Sequence, residues 1–193
     1  MHAIEFGPAY LNGADFRGAE LYGAIMSGAR LRNAKLFHAK MAEAQLSHAK
    51  LQKADLKGAN LRNANLTSAK LQIADLRRAE LQGANFTGAL MQGADLSFAA
   101  LNEETTFDDA NFRGAAIRQK GVKEVYFSIE QVQTCFADGS VSFSGVSPED
   151  EAWPAHFPKQ VPFGNDFETS WRAFQREIGF DPDDPSTWDE PSP

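Results

Sequence analysis

Cysteine occurs once in the 193 residues, as Cys135. A single thiol excludes an intrachain disulfide framework and leaves packing to hold the fold, and Cys135 itself reads as a buried helix residue. No apolar run approaches the roughly 18 residues that a membrane-crossing helix needs. Met1-His2-Ala3-Ile4-Glu5 does not open a signal peptide, so a cytoplasmic protein is expected. Signatures of catalysis are missing too. There is no Gly-x-Gly-x-x-Gly or Walker loop, and His2, His38, His48 and His156 are scattered without metal-ligand spacing. Asp55, Asp75 and Asp95 recur every twenty residues, but as part of a repeat rather than as a carboxylate site. The sequence therefore implies no enzyme, no cofactor, no metal and no small-molecule substrate.

What the chain has is a period. Every fifth position from Ala9 to Ala99 is alanine, and every fifth position from Leu11 to Leu101 is Leu, Phe or Met, 19 of 19 in each register. One small unit is copied along an axis. An α-helix is excluded, because five residues at about 100° each turn successive leucines by roughly 140° and scatter them around the cylinder. A flat strand fails as well. Ala and the bulky residue two positions on share a face, but the next alanine is an odd three residues further. Each unit must contain a bend, and the chain must wind around its own alanine and leucine side chains as a stacked coil. The glycines at 13, 18, 23, 28, 58, 83, 88 and 93 fall at the corners, where the backbone needs φ > 0 or no side chain.

Ala54-Asp55-Leu56-Lys57-Gly58, Ala59-Asn60-Leu61-Arg62-Asn63 and Ala84-Asn85-Phe86-Thr87-Gly88 follow the pattern Ala-(Asp/Asn)-Leu-x-x. On these residues the chain resembles the pentapeptide-repeat family from about Phe6 to Val122. The resemblance implies an all-β fold, a right-handed quadrilateral β-helix with four repeats per coil. Twenty repeats from Phe6 to Leu101 then make five coils. After Leu101 the register slips by one residue through Asn102-Glu103-Glu104-Thr105-Thr106, which a corner bulge can absorb. A sixth coil ends near Val122, for a solenoid about 29 Å long.

Composition changes at that point. Residues 1–122 hold 15 Lys and Arg against 12 Asp and Glu, whereas residues 123–193 hold 4 against 14. Three parts are expected: a solenoid over 1–122, a helical or irregular capping region over 123–180, and a flexible acidic tail over 181–193. Ser128-Ile129-Glu130-Gln131 is a capping box that opens a short helix over Ile129–Phe136. The stretch Phe127–Pro158 is similar to a C-terminal element of some bacterial pentapeptide-repeat proteins. Trp171, Phe174 and Ile178, spaced three and four apart, predict a second helix over Phe167–Ile178. An open solenoid end invites association, so the first helix is expected to cap the last coil, the alternative being a homodimer through this region.

With twenty residues per coil, one face gathers Arg30, Arg32, Lys50, Lys53 and Lys70. Its neighbour adds Lys35, Lys57, Arg77 and Arg78 beside Asp55, Asp75 and Asp95. Stacked like charges are not what packing favours, so Arg30, Arg32, Lys50, Lys53, Lys70, Arg77 and Arg78 form a candidate interaction face. The bland alternative is a solvated face with Gln52, Gln72 and Gln92 as spacers. The expected ligand is an acidic protein partner or the chain's own acidic tail, whose Trp153, Phe157 or Trp171 could lie across the outward apolar Ile73 and Leu90. Nucleic acid is disfavoured by the scarcity of aromatics on this face and the net charge of −7. The resemblance also raises a DNA-mimic regulator of DNA gyrase, against which stands the net positive repeat region. A piece of a longer chain is a third reading, because Phe6 already sits at a core position. The expectation is a non-enzymatic scaffold that presents a rigid surface to a protein.

Overall fold

The computed structural model describes residues 4–118, 127, 131, 134–137, 155, 157, 166–181 and 183–187. The five-residue unit closes on itself as a β-turn. The alanine N–H donates to the carbonyl of the bulky residue three positions earlier, as in Ala54 to Leu51 at 3.0 Å and Ala59 to Leu56 at 2.9 Å. The residue before each of these alanines takes a positive φ, the requirement of a type II turn. Glycine fills several of these corners, but among the described residues eleven that are not glycine also adopt positive φ, Lys53, Ile73 and Arg78 at 57°, 59° and 58° being examples. Corner geometry is thus imposed by coil closure and not by glycine alone.

Between corners, each unit forms one parallel bridge to the coil above and one to the coil below. Bridges join residues twenty apart, from Glu5 with Ile25 to Glu80 with Ala100. Four units therefore make one coil with four faces. Residue-to-residue spacing becomes 21 at Asn85 with Thr106, Leu90 with Asn111 and Asp95 with Ala116, which places the extra residue in the corner after Leu101. Asn102 repairs that corner: its Oδ1 accepts from Gly83 N at 2.8 Å, the place a backbone carbonyl holds in the coils before it. Thr105 takes the alanine position, with Oγ1 donating to Leu81 O at 3.0 Å.

The core is the pair of registers read from the sequence. Leu31, Leu36, Met41, Leu46, Leu51, Leu56 and Leu61 are fully buried, as are the alanines between them to within 1 %. Stacking continues past Ile117. Phe86, Phe107 and Phe127 form an aromatic ladder with ring centroids 5.1 Å apart at both steps. Strand β1, Ala116–Ile117, pairs in parallel with β2, Phe136–Ala137. Ser128, Ile129, Glu130, Val132 and Gln133 of the expected first helix and its capping box lie outside the described residues. Gln131 and Thr134 are helical, whereas Cys135 sits in a bend and Phe136 is extended. The helix stops short of Phe136 because that residue instead bonds to Ala115 O at 2.8 Å, continuing the ladder. Gln131 completes the end by donating through Nε2 to Phe107 O and Ala110 O.

The second expected helix is present as α1, Asp166–Glu177. Its Phe167, Trp171 and Phe174 pack on Ala116 and Phe136, joined by Ile178. Among the described residues no helix is long and apolar enough to cross a membrane.

Candidate interaction surface

Bridging fixes which outward side chains stack. Tyr10, Arg30, Lys50, Lys70 and Leu90 succeed one another in consecutive coils. Arg32, Gln52, Gln72 and Gln92 run beside them, and Asn33, Lys53, Ile73 and Gly93 form the adjoining corner. Fifteen outward positions on this face, from residues 10, 12 and 13 to 90, 92 and 93, carry five cations and no carboxylate. The next charged faces differ. Lys35 is bridged to both Asp15 and Asp55, Lys40 pairs with Glu20 at 2.5 Å, and Arg62 lies 3.5 Å from Glu80.

The stack is tempered at its ends. The Arg30 guanidinium lies 4.3 Å above the Tyr10 ring, a cation–π contact, and Leu90 follows Lys70. Arg32 donates through Nε to Gln52 Oε1 at 3.2 Å. Five of the seven candidate cations thus share this face. Arg77 belongs to the neighbouring face and is committed there: it grips the Asp75 carboxylate and lies 3.7 Å from Asp95. The Asp75 partner raises the Arg77 pKa further above its usual value. Arg78 occupies an exposed corner of that face.

Two features went unread in the sequence. Gln52, Gln72 and Gln92, taken as solvated spacers, are only 5 %, 3 % and 2 % exposed, and the Oε1 atoms of Gln72 and Gln92 have no hydrogen-bond partner. The second is how the C-terminal segment is fastened. Trp171 Nε1 and Gln175 Nε2 both donate to Gly114 O, at 2.7 and 3.0 Å, and Arg113 Nη2 donates to Ile178 O at 2.5 Å. α1 ends in a Schellman motif, with Phe180 N bonded to Gln175 O and Gly179 N to Arg176 O around Gly179 at φ 70°. That reversal drops Phe180, 1 % exposed, onto Gly93 beside Ile73. A Cβ on Gly93 would collide with the Phe180 ring. The chain then runs to the basic face, where the turn Pro185–Thr187 is tied back by Thr187 Oγ1 to Asp181 O and Asp184 O.

A cleft of about 310 Å³ separates α1 from the face bearing Asp75 and Asp95, with Arg77, Arg118, Trp171 and Arg172 around it. Burial pushes the Asp95 carboxyl up, against the opposing pull of its bonds from Ser97 and the Arg77 charge. His38 and His48 stand at separate corners, His38 Nδ1 lying 3.1 Å from Gly58 O. Cys135 is wholly buried and its thiol pKa is raised by that burial. Among the described residues no group of His, Cys, Asp or Glu could hold a metal ion.

The sequence matches the family model for pentapeptide repeats in eight copies, over residues 9–36, 39–78 and 69–103. No curated protein matches it. Among solved structures it is similar to a pentapeptide repeat protein from the Arabidopsis thaliana thylakoid lumen, at 30% identity and TM-score 0.52, covering 53% of this chain and 71% of that one. HetL, a pentapeptide repeat protein involved in heterocyst differentiation regulation from Nostoc sp. strain PCC 7120, is 24% identical with a TM-score of 0.46. That match covers 71% of this chain and 65% of HetL, less than two thirds of its length. A trypsin-treated form of QnrB1, a plasmid-mediated fluoroquinolone resistance protein, is 16% identical with a TM-score of 0.40 over 91% and 86% of the two chains. With its five-residue unit, its twenty-residue coil and its matched repeats, the chain belongs to the pentapeptide repeat family, whose fold is a right-handed quadrilateral β-helix.

Proposed function

We propose that the protein is a non-enzymatic interaction module that uses its acid-free basic face to hold an acidic segment of a protein partner. The observation that carries this reading is the stack Arg30–Lys50–Lys70, three cations on bridged positions with no carboxylate on their face. Bridged like charges are destabilising; another like-charge stack, Asp55–Asp75–Asp95, is answered by Arg77 beside it, whereas no carboxylate shares the face of Arg30–Lys50–Lys70. A solvated face has no need of such a stack, whereas an anionic partner is attracted by it.

The aromatic residues of the C-terminal region support capping over dimerisation. Phe136, Phe167, Trp171 and Phe174 are spent on the chain's own solenoid. The setting proposed is the cytoplasm, where a cysteine outside any disulfide, such as Cys135, stays reduced.

The test is capture from a source-cell lysate by intact protein and by a Lys50→Glu/Lys70→Glu form, both first shown to be folded by circular dichroism. A partner retained by the intact protein and lost by the reversed form is expected. Equal retention by both, or by neither, overturns the proposal.

A further inference from the structure

The two ends of the solenoid are finished differently. At the last coil the chain covers itself: Gln131 donates to Phe107 O and Ala110 O, and Phe136, Phe167, Trp171 and Phe174 pack over Ala116. At the first coil no comparable cover is found among the described residues. From Ile25 to Ala116 the N–H of each bridged residue donates to a carbonyl of the preceding coil, as Arg30 does to Ala9 O and Lys35 to Ala14 O, both at 2.9 Å. Tyr10, Asp15 and Glu20 hold the same place in the first coil, and among the described residues their N–H groups have no acceptor. The core is open there too. Phe6, Leu11 and Phe16 are only partly buried, whereas Leu31 and Leu36 above them are fully covered.

A separate observation marks the same end. Among the described residues five large apolar side chains are exposed, and four of them, Ile4, Tyr10, Tyr22 and Ile25, stand on the first coil or at its junction with the second. Tyr10 is 75 % exposed and Tyr22 63 %. Free strand edges and exposed apolar side chains together invite strand addition.

The shape of the end selects the occupant. An extended peptide can pair with one side of a four-sided coil and leaves the other edges and the open core in water. A coil of the same cross-section meets every side at once. This chain offers such a coil in its own first turn, its other end being covered by the C-terminal segment, so the contact closes as a dimer and does not propagate. Charge permits it. Asp15 is held by Arg17 at 2.6 Å and Glu20 by Lys40 at 2.5 Å, so that the edge presents ion pairs, with Glu5 as its remaining carboxylate. We infer that two copies of this chain stack end to end through their first coils about a two-fold axis. Their strands meet antiparallel, and each copy receives the N–H groups of Tyr10, Asp15 and Glu20 from the other. The inference uses none of the basic face, and stands or falls apart from it.

The experiment is sedimentation equilibrium of the full chain over a range of concentrations, with hydrogen exchange followed at low and high concentration. A mass of two chains is expected at high concentration, together with slowed exchange at Tyr10, Asp15 and Glu20. Asp15→Pro removes an N–H that makes no bond within the chain and blocks the edge, so it is expected to abolish the dimer. Asp15→Asn, which keeps that N–H, is expected to retain it; both variants are first shown to be folded by circular dichroism. A single-chain mass at every concentration overturns the inference, as does growth beyond two chains. Exchange at the three amides that is independent of concentration overturns it as well, even where Asp15→Pro is monomeric.

Discussion

Replacing Gly93 by alanine isolates the energy that fastens the C-terminal segment, because the solenoid contains its own control at Gly88. The two glycines have nearly the same backbone, φ 66° and 65°, so an alanine at either meets the same left-handed penalty of about 1–2 kcal/mol. At Gly88 the new methyl meets only Ser68 Oγ at 3.4 Å, whereas at Gly93 it meets the Phe180 ring. Expelling that buried ring forfeits about 1.5–3 kcal/mol of apolar burial, and this difference is what separates the variants. The chain offers a selective reporter, since Trp153, Trp171 and Trp188 all follow the repeats. Tryptophan emission follows the C-terminal segment, while far-ultraviolet dichroism is dominated by the coils. In urea, Gly88→Ala should shift the dichroism transition modestly with the emission transition following it. Gly93→Ala should move the emission transition to lower urea, ahead of the dichroism change. Identical behaviour of the two variants by both probes would refute the anchoring of Phe180 on Gly93.

Asp95→Asn is expected to stabilise the protein at neutral pH. Burial raises the folded pKa of Asp95 above its unfolded value, so the ionised form is penalised by folding, and that penalty disappears as pH falls through the folded pKa. Asparagine keeps the acceptor for Ser97 N, a bond of 2.8 Å, and removes a like charge bridged to Asp75, for a gain of up to about 1 kcal/mol. A melting curve at pH 7 should rise and the advantage should vanish in acid; a loss of stability at pH 7 contradicts the argument. Lys50→Gln should also stabilise the free protein, by about 0.5–1 kcal/mol, because it removes two like-charge neighbours from one stack. That gain should shrink in high salt; a thermal shift independent of salt would show that repulsion is not its source.

The solenoid was legible because its core is written in local registers. Alanine and leucine at fixed spacing reach the same environment in every coil, so Leu31 and Leu56 could be placed without knowledge of the rest. The slip at Asn102–Thr106 was legible for the same reason, although its repair by Asn102 was not. The number of faces came from family likeness, since a five-residue period leaves it open. Docking of the C-terminal segment was not legible. The apolar stripe of α1 showed that the helix must pack, but its contacts with Gly114 span 57 and 61 residues, and no local pattern specifies such a distance. Phe180 after Gly179 reads in sequence as a mere helix stop. Ile73 carried the better signal: a β-branched residue at φ 59° is unfavourable, and its place beside Phe180 compensates it. Burial of Gln72 and Gln92 escaped notice because outward repeat positions are polar by pattern.

The backbone that makes the fold rigid also keeps the basic stack from relaxing. On a loop, three cations would drift apart at little cost, but backbone bonds of 2.7–2.8 Å from Leu31 to Lys50 and from Leu51 to Lys70 hold the main chain that carries them at the coil spacing, about 4.8 Å. That interval is shorter than the Debye length of about 8 Å at physiological ionic strength, so physiological salt leaves much of the repulsion between neighbours in place and only high salt screens it. Free protein carries that cost continuously, and a bound anion relieves it without any reorganisation of the coils, which is the condition for preorganised binding. Stability and recognition on this face are therefore linked with opposite signs. If the face binds as proposed, substitutions that quiet the stack are expected to firm up the free solenoid and weaken the partner, and a bound acidic segment is expected to raise the melting temperature.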